Sequence, residues 1–267
     1  MAQLLDLTWK EPPPRSGPVE FPFSVPAIRS LRSLDLDAPV TLFVGENGSG
    51  KSTLLEAIAA AADLPVVGSA NVWSDPTLTA QRELAKALKL TWHKRSNYGF
   101  YLRAEDFFGY LKQKARDDAR IAREKATFGL PPRMVPQDEA THHDEVAAAE
   151  FLARYDARSH GESFLDLFKQ RIDGTGLYLM DEPEAPLSPQ RQLALLALMG
   201  DAVREGAQFI VATHSPILLA YPGARIYSFD DPPIRPVRFD ELEHVTLTRD
   251  FLAAPQRFLR ALDLPGA

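Results

Sequence analysis

Eight consecutive residues carry the clearest chemistry: Gly45, Glu46, Asn47, Gly48, Ser49, Gly50, Lys51 and Ser52. Their pattern, G-x-x-x-x-G-K-S, belongs to a loop that wraps a phosphate. Glycines let the backbone come close, and the amide N–H groups then point inward at the anion. The helix read from Thr53, just after Lys51 and Ser52, would add the partial positive charge of its N-terminus. In such a loop the lysine reaches the β- and γ-phosphates and the serine hydroxyl reaches Mg²⁺.

Three other groups could act on the same phosphate chain. Asp181 and Glu182 follow the apolar run Leu177-Tyr178-Leu179-Met180, so two carboxylates stand at the C-terminal end of a core strand, where open α/β sheets bind ligands. Asp181 would hold Mg²⁺, and Glu182 would polarise the attacking water as a general base. His214, in Ala212-Thr213-His214-Ser215-Pro216 after another apolar run, is a polar group able to reach the γ-phosphate or that water. Ser159-His160-Gly161-Glu162 lies twenty-two residues before Asp181. It reads either as a helix capping box or as an anion site of hydroxyl and free amides at a helix start.

These groups need elements to hold them. Val40-Thr41-Leu42-Phe43-Val44 predicts a buried strand before the phosphate loop, and Thr53 to Ala62 predicts the helix after it, ended by Pro65. Leu177–Met180, Gln208–Ala212 and Arg225–Phe229 predict further strands. Gln190–Arg204 predicts a helix with Pro189 in its first turn. Thr248–Leu262 predicts a closing helix interrupted or restarted at Pro255. The proline-rich first forty residues read as edge strands and turns. From about residue 75 to 170 apolar residues alternate with charges, which predicts a mostly helical subdomain with a loop near Gly129–His143. Strands alternating with helices indicate a mainly parallel sheet covered on both faces.

Together, the four motifs resemble the ATP-binding-cassette superfamily of ATPases. The likeness is nearer to the chromosome-maintenance and RecF-like branch, and to its small stand-alone AAA-family ATPases, than to transporter subunits. The resemblance runs from about Phe21 onward and is specific at the four motifs. It implies an α/β P-loop NTPase fold: one domain over 1–267 with an antiparallel N-terminal β part and a helical subdomain inserted at about 75–170. It implies ATP and Mg²⁺ as ligands, hydrolysis to ADP and phosphate, and Asp181 and Glu182 in the metal-binding and catalytic places. His214 takes the switch-histidine place. Ser159, Gly161 and Glu162 match a signature that contacts the γ-phosphate held by another copy, so ATP would lie between two protomers. His160 replaces a glycine of that signature, and Ser188 replaces an aspartate of a dimer-contacting loop. Arg32-Ser33 resembles an arginine-serine pair near the nucleotide, with Arg29 as its competitor. The metal-coupling glutamine is missing, and Glu105 is the substitute candidate. The adenine contact is open between Phe21 and Phe23, which otherwise read as packing residues.

The 267 residues are 45% hydrophobic and 25% charged, with net charge −6 and no cysteine. This composition excludes disulfides and cysteine-ligated metals and fits a cytoplasmic protein. No apolar run long enough to span a membrane occurs. From Arg82 to Lys125 there are twelve basic and six acidic residues, which reads as a solvated helical face or as a nucleic-acid contact. Two functions compete: an ATP-driven homodimeric switch with an unknown protein partner, in DNA repair or defence, and the nucleotide-binding subunit of a transporter.

Overall fold

The computed structural model describes residues 3–12, 19–67, 79–95, 98–104, 160–172 and 174–262, with residues 160–163 and 167 described by backbone alone. The described elements in chain order are β1 (Leu4–Trp9), α1 (Pro26–Ser30), β2 (Ser33–Asp35), β3 (Val40–Val44), α2 (Lys51–Ala62), β4 (Val66–Val67), α3 (Thr79–Ala87), β5 (Leu88–Trp92) and β6 (Gly99–Arg103). They continue with α4 (His160–Arg171), β7 (Leu177–Asp181), α5 (Pro189–Arg204), β8 (Gln208–Ala212), α6 (Pro216–Leu219), β9 (Arg225–Ser228), β10 (Arg235–Val237), α7 (Glu243–Ala253) and α8 (Pro255–Ala261).

Seven strands form the main sheet in the order β10-β9-β3-β8-β7-β6-β4, and β1, β2 and β5 form a second sheet in the order β2-β1-β5. The main sheet is parallel except for β10, which pairs antiparallel with β9. The small sheet is antiparallel throughout. This is the predicted α/β class, a mainly parallel P-loop sheet with an antiparallel N-terminal part.

Alternation along each central strand divides the core in two. Val40, Leu42, Val44, Tyr178, Met180, Phe209 and Val211 point to one face. That face is covered by Phe164 and Phe168 of α4 and by Leu195 and Met199 of α5. Phe43, Leu177, Leu179, Ile210 and Ala212 point to the other. There they meet Leu54, Leu55, Ala57 and Ile58 of α2, with Leu4 and Leu7 of the small sheet in the same cluster. Each buried leucine or isoleucine contributes roughly 1.5–3 kcal/mol. Helix α2 is therefore held from both sides, and the phosphate loop at its start has a rigid base.

Several predicted boundaries move. Strand β1 is the centre of its sheet, not an edge, because β5, from the segment expected to be helical, pairs with it from Leu4 to Trp9. Strand β6 also comes from that segment and lies between β7 and β4. Residues 105–159 of the expected helical subdomain lie outside the described residues. The closing helix begins at Glu243 instead of Thr248, and breaks at Ala254 before Pro255. Among the described residues no helix is long and apolar enough to cross a membrane.

Candidate functional site

The strand order places the chemistry. Strand β8 sits between β3 and β7, and all three run parallel. Their C-terminal ends therefore carry the phosphate loop, the 213–215 loop and Asp181-Glu182 side by side.

The loop itself is set by backbone conformation. Gly50 caps α2 with φ 106° and ψ 7°, and a Cβ there would lie 2.7 Å from Cγ1 of Val25. Only glycine meets both demands. Lys51 is 4% exposed. Its ammonium donates to the carbonyls of Gly45 at 2.6 Å and Glu46 at 2.9 Å, so the side chain folds back across the loop. Burial lowers the Lys51 pKa, opposed by the charges of Glu182, Asp181, Asp230 and Glu184.

Asp181 ends β7. Burial is the main force raising its carboxyl to a pKa of about 6, and Glu182 adds to it. The Ser52 hydroxyl, which is hydrogen-bonded to it, acts the other way, as do Lys51 and Arg103. Its Oδ1 is buried without a hydrogen-bond partner. A hydroxyl, an orphaned carboxylate oxygen and further acids around a single lysine make a hard, oxygen-rich donor set of the kind Mg²⁺ takes. The residues present fit that ion, and Ser52 and Asp181 are the two that could hold it.

Glu182 follows with φ 49°, a left-handed conformation rare outside glycine. Its amide donates to Ala212 O at 2.9 Å, which ties the turn to β8. Its Oε1 lies 3.6 Å from Nε2 of His214. Both side chains are partly exposed, at 45% and 38%, but His214 Nε2 itself is buried without a hydrogen-bond partner. A strained backbone that aims one carboxylate at a histidine is typical of a functional turn.

Four neighbours were not singled out from the sequence. Glu184 Oε1 accepts from Thr213 Oγ1 at 2.7 Å, His214 N at 2.7 Å and Ser215 N at 3.1 Å. Asp230, just past β9, accepts from Glu46 N at 2.5 Å, so an acid holds the phosphate loop from the side opposite β8. Arg103 is paired in register with Asp181 across β6 and β7, and it bridges to Glu56 of α2 at 3.5 Å. His244, at the start of α7, has its pKa lowered by burial, with His214 adding to the effect and Asp230 opposing it. Gly45, Glu46, Asn47, Gly48, Ser49, His214, Asp230, His244 and Leu247 are among the residues lining a cavity of about 910 Å³. The one available signal was position: Arg103 and Asp230 each end an apolar run, as Asp181 does.

Other sequence candidates fall differently. Thr53 lies in the first turn of α2. Ser159 and Glu105 lie outside the described residues, and His160, Gly161 and Glu162 form the first turn of α4. Phe23 packs against Trp9 at 6.3 Å between ring centroids, while Phe21 is 54% exposed. Ser188 precedes Pro189 as the N-cap residue of α5. Arg32 is exposed just before β2, and Arg29 is in the last turn of α1. In the basic stretch, Lys86 pairs with Glu83, and Arg95 donates to Ala62 O and lies over the Trp92 ring.

Two family models match parts of the chain. One described as an AAA domain covers residues 24–63. Another, described as an AAA domain of a putative AbiEii toxin and type IV toxin–antitoxin system, covers residues 163–220. The hemin import ATP-binding protein HmuV of Nocardia farcinica is 27% identical over 257 residues, covering 91% of this chain and 81% of that protein. A putative ABC transporter ATP-binding protein of Sulfurisphaera tokodaii is 24% identical over 210 residues, covering 74% of this chain but 39% of its own length. The DNA repair protein RAD50 of Saccharomyces cerevisiae is 35% identical over 80 residues, covering 27% of this chain and 6% of its own length. Among solved structures, an inward-facing putative metal-chelate type ABC transporter is 18% identical with TM-score 0.48, covering 94% of this chain and 89% of that one.

Proposed function

The described residues form an ATP-binding ATPase domain of the ATP-binding-cassette type, and on that premise we propose that the chain hydrolyses MgATP between two copies of itself. The observation that carries the reading is the convergence of Lys51, Asp181, Glu182 and His214 at adjoining strand ends, with Glu182 Oε1 3.6 Å from His214 Nε2. The amides of residues 46–52 and the start of α2 cradle the phosphates. Lys51 neutralises the β- and γ-phosphates. Ser52 and Asp181 would hold Mg²⁺, which would supply charge stabilisation on the phosphate oxygens. Glu182 takes a proton from the water that attacks the γ-phosphorus, and His214 orients that water or the γ-phosphate. The partner's Ser159, Gly161 and Glu162 close over the γ-phosphate. Its loss on hydrolysis removes the link between the two copies, which makes the cycle a conformational switch. The task served, DNA repair or defence among them, depends on a partner.

Glu182→Gln tests this. General-base removal slows turnover by roughly 10²–10⁴-fold while ATP binding persists. Light scattering should then show a dimer at saturating MgATP. A Glu182→Gln chain that stays monomeric there, or that turns over like wild type, sinks the reading. The names of the ATP-binding relatives favour a second reading, a transporter's nucleotide-binding subunit. Stable co-purification with a multi-spanning membrane protein would decide for it. Nucleic-acid contact through Lys86, Lys89, Lys94 and Arg95 would instead appear as salt-dependent binding.

A further inference from the structure

Glu184 is two residues beyond Glu182, in a turn closed by Ala185 N donating to Glu182 O at 3.0 Å and Leu187 N donating to Glu184 O at 2.8 Å. One of its oxygens collects three donors, all from the 213–215 loop. The loop has a second tether behind it. Ser215 Oγ donates to Gln192 Oε1 at 2.5 Å, and Gln192 Nε2 donates to Leu187 O at 3.2 Å. That tether fixes Ser215 and the start of α6, whereas Glu184 is the group that holds the His214 amide. The same turn thus approaches His214 twice: Glu182 faces its imidazole and Glu184 holds its backbone.

We propose that Glu184 is a positioning residue for hydrolysis. Its carboxylate locks the 213–215 loop to the turn that carries Glu182, so the His214 imidazole and the Glu182 carboxylate move as one unit. This rests on the hydrolytic reading above. Its other oxygen, Oε2, is buried without a hydrogen-bond partner, so among the described residues its side-chain hydrogen bonds all run to the 213–215 loop. Charged acceptors make shorter and stiffer bonds to amides than neutral ones, and a displacement of about 1 Å in reacting groups can cost 10²-fold in rate.

The test is a set of steady-state measurements on the full chain with MgATP. Glu184→Ala should lower kcat by about 10²-fold with KM changed less than about threefold. Glu184→Gln keeps an acceptor oxygen of the same reach and should recover to within about tenfold of wild type. Glu184→Asp keeps the charge but falls short of the three donors, and should stay below Glu184→Gln. In a His214→Ala background, Glu184→Ala should add almost no further loss, because residues that act as a unit are non-additive. Wild-type kcat in a folded Glu184→Ala chain overturns the proposal. So does Glu184→Asp outperforming Glu184→Gln, or a full extra loss in the His214→Ala background. If Glu184→Ala fails to fold, the Gln and Asp variants decide between the outcomes. A wild-type chain without Mg²⁺-dependent hydrolysis removes the hydrolytic reading itself and this proposal with it, whereas hydrolysis with an unaltered Glu184→Ala removes this proposal alone.

Discussion

Asp181 shows at the residue scale what the site costs. The fold favours its neutral form, since burial raises its pKa from 3.8 to about 6. An acid whose folded pKa is raised binds more protons in the native state than in the unfolded one. Its stabilising contribution is complete below pH ~4 and is lost as pH rises through about 6. The loss amounts to roughly 2–3 kcal/mol at neutral pH. Asp181→Asn keeps the shape without the charge. Thermal melts in EDTA should therefore show the variant several degrees more stable than wild type at pH 7.5. Its stability should also vary less with pH between 4 and 7. The same substitution should abolish Mg²⁺-dependent turnover, a trade of function for stability. A variant melting below wild type at pH 7.5 would contradict the desolvation argument. Lys51 and Ser52 were legible in the sequence from the glycine spacing before them, and Asp181, Glu182 and His214 because each sits just past an apolar run. Glu184 was not. Its side chain has no periodic signal, and its partners are 29 to 31 residues away.

At the scale of elements, close approach governs the sheet that carries the site. Strand β6 begins at Gly99, with φ 140°. A Cβ there would stand 2.0 Å from the carbonyl oxygen of Leu177 on β7. Any side chain at 99 must push apart the strands that end in Arg103 and Asp181. Gly99→Ala should cost roughly 2–4 kcal/mol, read as a lower urea midpoint at unchanged m-value. The damage should extend to nucleotide binding, since Asp181 lies four residues along the displaced β7 pairing from Leu177. Strands β3, β7, β8 and β9 were readable as apolar runs too short for helices. Strand β5 was not, because Leu88-Lys89-Leu90-Thr91-Trp92 continues the charged texture of the preceding helix. Pairing with β1 decides its conformation.

For the molecule as a whole, Gln208 joins the two sheets. It is fully buried. Its Oε1 accepts from the amides of Gln3 at 2.9 Å and Leu4 at 2.7 Å. Its Nε2 donates to the carbonyls of Leu4, Leu36 and Ala38 at 2.9, 2.8 and 3.2 Å. A single amide thus satisfies backbone groups from β1 and from the β2–β3 connection at the base of β8. Gln208→Ala takes these partners from buried backbone groups, of which Leu36 O still accepts from Ala38 N at 2.7 Å, at a cost of roughly 2–4 kcal/mol. Amide exchange in β1 should rise well before exchange in β7. Equal exchange in both strands would show that the sheets are held together by their apolar contacts alone.

The sequence by itself determined the α/β class, the phosphate loop, the paired carboxylates and the histidine. These follow from local patterns: glycine spacing, apolar runs of strand length and the residues that end them. Tertiary structure alone decided that β8 lies between β3 and β7, and so that His214 meets Glu182. It also decided that Asp230 braces the phosphate loop and that Glu184 holds the histidine's backbone. Strand order and hydrogen bonds between residues 29 to 205 positions apart depend on how the chain packs, and no local pattern encodes them.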